Sequence, residues 1–64
     1  MTPEQRAKVK DLIRCTFLPG SYQKRFVQDL HARLEDDTPL SEKQAAYLDK
    51  LHHMYRRQIG QLHS

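Results

Sequence analysis

The side chains able to do chemistry in this chain are few: one cysteine, Cys15, four histidines, His31, His52, His53 and His63, and a modest set of charges. A nucleophilic thiol needs a base beside it, and a metal ion needs donors whose spacing converges on one point. Neither pattern is present. On a helix the adjacent His52 and His53 stand about 100° apart, whereas a chelating pair sits at i and i+4. His31, His63 and Cys15 lie on other segments, so no metal and no cofactor is expected. Cys15 falls away from the centre of its helix's apolar stripe, with Lys8 and Asp11 as neighbours and no histidine to pair with. Asp36 and Asp37 occupy a turn-prone segment, which accounts for them without catalysis. A chain of 64 residues also has little room for a substrate-burying pocket. A non-enzymatic protein is expected.

The cations are better organised. Arg6, Lys10 and Arg14 recur every four residues, which makes a row along one side of a helix. Lys43, Lys50, His53 and Arg57 line a second helical face, with small Ala46 among them and Arg56 alongside. Rows of this kind can follow a phosphate backbone, and a small residue in the row allows close approach to a groove. DNA or RNA is the partner this implies. The same rows also read as solvated flanks, because long basic side chains border cores while their heads stay in water. A net charge of +3 and an isoelectric point of about 9.3 agree with either reading. A helix-turn-helix is not expected, since the segment around Asp36-Asp37-Thr38-Pro39 is longer and more acidic than that motif's turn. A second functional class stays open: Tyr47, Met54, Ile59 and Leu62 form a patch suited to a partner protein or to a homodimer.

The elements that must position these residues are helices. Such a short chain buries about 60% of its unfolded surface, which allows one core, so residues 1–64 are a single domain. With one cysteine no intrachain disulfide can form, and a reducing, cytoplasmic setting fits. Met1-Thr2-Pro3-Glu4-Gln5-Arg6 leads into no apolar run of the length a signal peptide or membrane span needs, so a soluble, complete chain with no membrane contact is expected.

Thr2 as N-cap, Pro3 at the first position and Gln5 as capping-box partner start a helix over about 3–17, with Val9, Leu12, Ile13 and Phe17 on one face. Leu18-Pro19-Gly20 stops it. Ser21 caps a second helix over about 22–35, carrying Tyr22, Phe26, Val27, Leu30 and Leu34, and the short link folds the pair into a hairpin. Leu40-Ser41-Glu42-Lys43-Gln44 opens a third and longest helix over 42–59, in which Leu48, Leu51, Tyr55, Ile59 and Leu62 recur at near-heptad spacing. Gly60 is its expected stop. The sum is an all-α fold, a small three-helix bundle with a core of about fifteen side chains.

The segment Leu40-Ser41-Glu42-Lys43-Gln44, followed by Leu48, Leu51 and Tyr55-Arg56-Arg57-Gln58-Ile59, resembles a helical pattern of short proteins from phages and other mobile elements. It covers roughly a third of the chain. The resemblance implies a phage or prophage origin, with DNA or a host or phage protein as partner, and carries over no catalytic residue.

Overall fold

Hydroxyl side chains start three of the four helices in the computed structural model, which describes residues 1–36 and 38–62. Thr2 Oγ1 accepts from the Gln5 N–H at 3.1 Å while Gln5 Oε1 accepts from the Thr2 N–H at 3.0 Å, closing a capping box ahead of α1 (Pro3–Ile13). Ser21 Oγ accepts from the Lys24 N–H at 3.2 Å ahead of α2 (Tyr22–Ala32). Ser41 and Gln44 repeat the box ahead of α3 (Glu42–Met54). After the single residue Tyr55 comes α4 (Arg56–Leu62). The chain is all-α, and the three expected starts lie where local chemistry puts them.

The ends differ from expectation, the first for a tertiary reason and the second for a local one. The first helix stops at Ile13 instead of Phe17. In a longer helix the Thr16 N–H would bond back to Leu12; here Gln58 Oε1 accepts it at 3.0 Å, and the Phe17 ring meets Tyr55 edge-on at 4.7 Å. The second helix stops at Ala32 instead of Glu35, where Arg33 and Leu34 N–H groups turn to carbonyls three residues back, at 3.1 and 3.2 Å. The chain then turns on Asp36, whose Oδ1 accepts from both the hydroxyl and the N–H of Thr38, at 2.7 and 3.0 Å. Those two bonds hold the Asp36 carboxyl below the usual carboxylate range. Asp37, assigned to the same turn, lies outside the described residues, as does His63.

One helix was expected over 42–59, and the structure has two. Tyr55 still donates to the Leu51 carbonyl at 2.9 Å and its own carbonyl accepts from Ile59 at 3.1 Å, so the ladder continues on both sides of the break. Between them the Arg56 guanidinium donates to the His53 carbonyl at 2.9 Å. The Tyr55 backbone, at φ −101° and ψ 13°, departs from helical values at this point. Gly60 does not stop the chain here, because α4 runs through it to Leu62.

The core is Val9 and Leu12 of α1, Val27 and Leu30 of α2, Leu48 and Leu51 of α3, and Ile59 of α4. Half-buried Ile13, Phe17, Phe26, Leu34, Tyr47 and Tyr55 pack around it. Helix α1 packs against both α2 and α3. Two expected positions change. Tyr22, placed in the core by its spacing, is 70% exposed. Cys15, placed off the stripe by a helical wheel, packs against the core because the chain has already left the helix.

Gly20 is the one described residue with a positive φ, at 73°, and it makes the turn before Ser21. A Cβ there would meet no atom within 4 Å, so the cost of Gly20→Ala is backbone strain alone, about 1–2 kcal/mol. Gly60 lies in a helix and is equally unobstructed, so Gly60→Ala should stabilise by about 0.4–1 kcal/mol. Opposite shifts in melting temperature are the expected result; equal shifts would contradict this account of the turn.

Candidate nucleic-acid interface

The capping box at Ser41 and Gln44 fixes where α3 starts and therefore which way each of its side chains points. Lys43, Ala46, Lys50 and His53 follow at spacings of three, four and three, and all four are exposed. Lys43 and Lys50 are separated by about 10 Å of helix axis. Arg56 and Arg57, at the start of α4, are exposed as well. The break at Tyr55 falls within this end of the row. Arg56 Nη1 lies 3.1 Å from His53 Nε2 in addition to bonding the His53 carbonyl, so the guanidinium and the imidazole form one unit at the junction of α3 and α4.

Of the acids near this face, Glu42 is exposed in the first turn of α3, beside Lys43 and one turn before Ala46, while Asp49 and Asp11 are engaged along α1. Asp49 Oδ1 takes a hydrogen bond from Lys8 Nζ at 2.6 Å, and Asp11 Oδ2 lies 3.9 Å from His52 Nε2. Both contacts join α1 to α3, so the seam between these helices collects paired charges of both signs. His52 is half-buried there, and His53 is exposed.

The second row does not join the first. Lys8 reaches toward α3, and Lys10 lies two residues on, about 200° around the helix. The row of Arg6, Lys10 and Arg14 therefore runs along the far side of α1 from α3. Lys10 and Arg14 are exposed, while Arg6 is half-buried. Of the residues expected as an apolar patch, Ile59 is buried, Tyr47 and Leu62 are half-buried, and Met54 is 51% exposed.

What the sequence reading missed is an aromatic cluster between α2 and α3. Tyr47 meets Phe26 edge-on at 4.7 Å and Tyr22 at 5.7 Å, and Tyr22 stacks on Phe26 at 6.4 Å. Burial, with the neighbouring Tyr22 and Tyr55, pushes the Tyr47 phenol above its ordinary value, so it stays neutral in the physiological range. The signal for an exposed Tyr22 was its place at the first position of a helix, directly after the Ser21 cap and at the edge of the apolar stripe.

Cys15 lines a pocket of about 180 Å³ with Ile13, Phe17, Lys24 and Val27. Its Sγ lies 3.6 Å from the Asp11 carbonyl, and burial, followed by the Asp11 carboxylate, pushes the thiol above its ordinary value. The reactive species is the thiolate, so this shift disfavours nucleophilic attack near neutral pH. Alkylation by iodoacetamide at mildly alkaline pH should be slower in the folded chain than in urea, with the rate rising as pH is raised toward the elevated value. Equal rates in the two states would show that neither burial nor Asp11 protects the thiol.

Among the described residues no helix is long and apolar enough to cross a membrane. Protein-family profiles, curated proteins and solved structures give no match to this chain.

Proposed function

We propose that this chain is a small, non-enzymatic, cytoplasmic nucleic-acid-binding protein that holds phosphates against Lys43, Lys50, His53, Arg56 and Arg57. The observation that carries the reading is the sorting of charge around α3: from Ala46 onward its outer face presents exposed cations, with Glu42 the one exposed acid at its start and Asp49 engaged by Lys8. An unneutralised row of cations is what a polyanion needs in order to release its counterions on binding. Arg6, Lys10 and Arg14, on another side of the molecule, form at most a separate, weaker contact. The resemblance of Leu40 to Ile59 to short phage and mobile-element proteins supports an accessory role on DNA or RNA.

The test is anisotropy of labelled DNA and RNA with the native chain and with Lys50→Glu plus Arg57→Glu. Loss of binding at low salt in the double variant is expected, and unchanged binding would end the proposal. Met54 favours a second reading, in which the chain is a protein-binding module or an inhibitor of host machinery, because it is a large apolar side chain left 51% exposed. That reading gains if the native chain binds neither DNA nor RNA and Met54→Glu releases a host protein captured by the native chain.

A further inference from the structure

The aromatic cluster and the basic row are parts of one surface. Tyr47 lies four residues after Lys43 and three before Lys50, so on α3 both lysines flank its ring with Cβ atoms roughly 5–6 Å away. The side of α3 bearing Asp49 and His52 faces α1, and the side bearing Tyr47 meets Tyr22 and Phe26 of α2. Lys43 and Lys50 therefore border the aromatic cluster on one flank. Arg25 borders it on the other, exposed and three residues after Tyr22 on α2. Asp29, one turn beyond Arg25, lies 3.6 Å from Arg33, so a cation accompanies the acid on that side.

Tyr22 is the unusual member. It is stacked on Phe26 and braced by Tyr47, yet 70% of it meets solvent. A large aromatic ring left this exposed, held in orientation by two others, with Arg25 one turn on along its own helix and Lys43 and Lys50 one turn either side of the ring that braces it, has the makings of a stacking platform. Duplex nucleic acid keeps its base faces covered by stacking. An unpaired base offers a face to a ring, and its phosphates reach the cations on either side.

We infer that the α2–α3 surface binds single-stranded nucleic acid, with an unpaired base stacked on Tyr22 and the flanking phosphates held by Arg25, Lys43 and Lys50. This rests on the proposed function and narrows it from nucleic acid in general to strands with unpaired bases. The charge of the rim selects this occupant over an apolar protein segment, which would leave three cations without partners.

The experiment measures anisotropy of labelled oligo(dT), oligo(U) and a blunt-ended duplex with the same number of phosphates. The proteins are the native chain, Tyr22→Ala, Tyr22→Phe and the double variant Lys50→Glu plus Arg57→Glu. The expected result is preference for the single strands, whether DNA or RNA is tighter. Tyr22→Ala should weaken single-strand binding about 5-fold or more with the duplex unaffected, and Tyr22→Phe should retain it. Tyrosine emission of the native chain should fall as unlabelled oligo(dT) is added. Circular dichroism of Tyr22→Ala is expected to match the native chain, given the exposure of that ring.

If Tyr22→Ala binds single strands as well as the native chain does, the inference is overturned, while sensitivity to the double charge reversal leaves the proposed function standing. Absence of binding to all three probes removes both. A native dimer that Tyr22→Ala converts to monomer in sedimentation, with no change in single-strand affinity, overturns the inference and makes the surface a contact between copies of the chain.

Discussion

Leu48→Ala is expected to unfold most of the population or to lower the urea midpoint by about 2 M or more. Leu48 is fully buried in the cluster to which all four helices contribute. Removing three carbons there loses their transfer free energy and leaves a cavity, at a cost of about 2–5 kcal/mol. A single core in a chain below about 70–80 residues rarely supplies more than about 3–5 kcal/mol in total. The substitution therefore removes a large share of what is available. With a urea slope near about 1 kcal/mol per molar for so small a protein, the midpoint moves by the stated amount. Leu18→Ala is the control, because Leu18 is 78% exposed and its loss should change stability by no more than about 0.5 kcal/mol. Circular dichroism at increasing urea reads both. An unchanged midpoint for Leu48→Ala would mean that the stripe of α3 does not hold the core together.

The second large effect concerns salt. If Lys43, Lys50, His53, Arg56 and Arg57 each neutralise one phosphate of a single strand, log affinity should fall against log salt with a slope of about −3.5. Raising salt from about 50 to 200 mM then weakens binding roughly 100-fold. Lys50→Glu with Arg57→Glu should flatten the slope to about −2 and lower affinity most at the low-salt end. Lys10→Glu with Arg14→Glu serves as the comparison, since these side chains lie on the side of α1 away from α3. A slope changed as much by the α1 pair as by the α3–α4 pair would show general charge attraction instead of a defined face.

The parts of the fold legible in the sequence are those that neighbouring residues decide among themselves. Thr2 with Gln5, Ser21, and Ser41 with Gln44 each complete their hydrogen bonds within three residues, so the starts of α1, α2 and α3 could be read from spacing alone. The ends could not. Whether residues 14–17 stay helical depends on Gln58 and Tyr55, forty residues away in the chain, and no local signal carries that information. The break at Tyr55 was hidden for another reason: the contact beside it, Arg56 on the His53 carbonyl, spans only three residues, but the Leu stripe of the third segment runs through it unbroken.

For the candidate site, the basic row was readable because exposure follows from periodicity once α3 is phased. Its limits were not. The division of the cations between two sides of the molecule depends on which flank of α1 meets α3, and the contacts Lys8 to Asp49 and His52 to Asp11 decide it. Tyr22 was misplaced because an aromatic residue at helical spacing ordinarily joins the core, whereas at the first position of a helix it can lean on Phe26 and remain wet.

The clamp of Gln58 on Thr16 has a kinetic corollary. Its partners lie 42 residues apart, as the Lys8 to Asp49 pair lies 41 apart, so both close only after a long loop has been brought together. Local helical turns form within about a microsecond. The joining of the first third of the chain to the last carries the larger loop-closure cost, while the caps of α1, α2 and α3 each close within three residues.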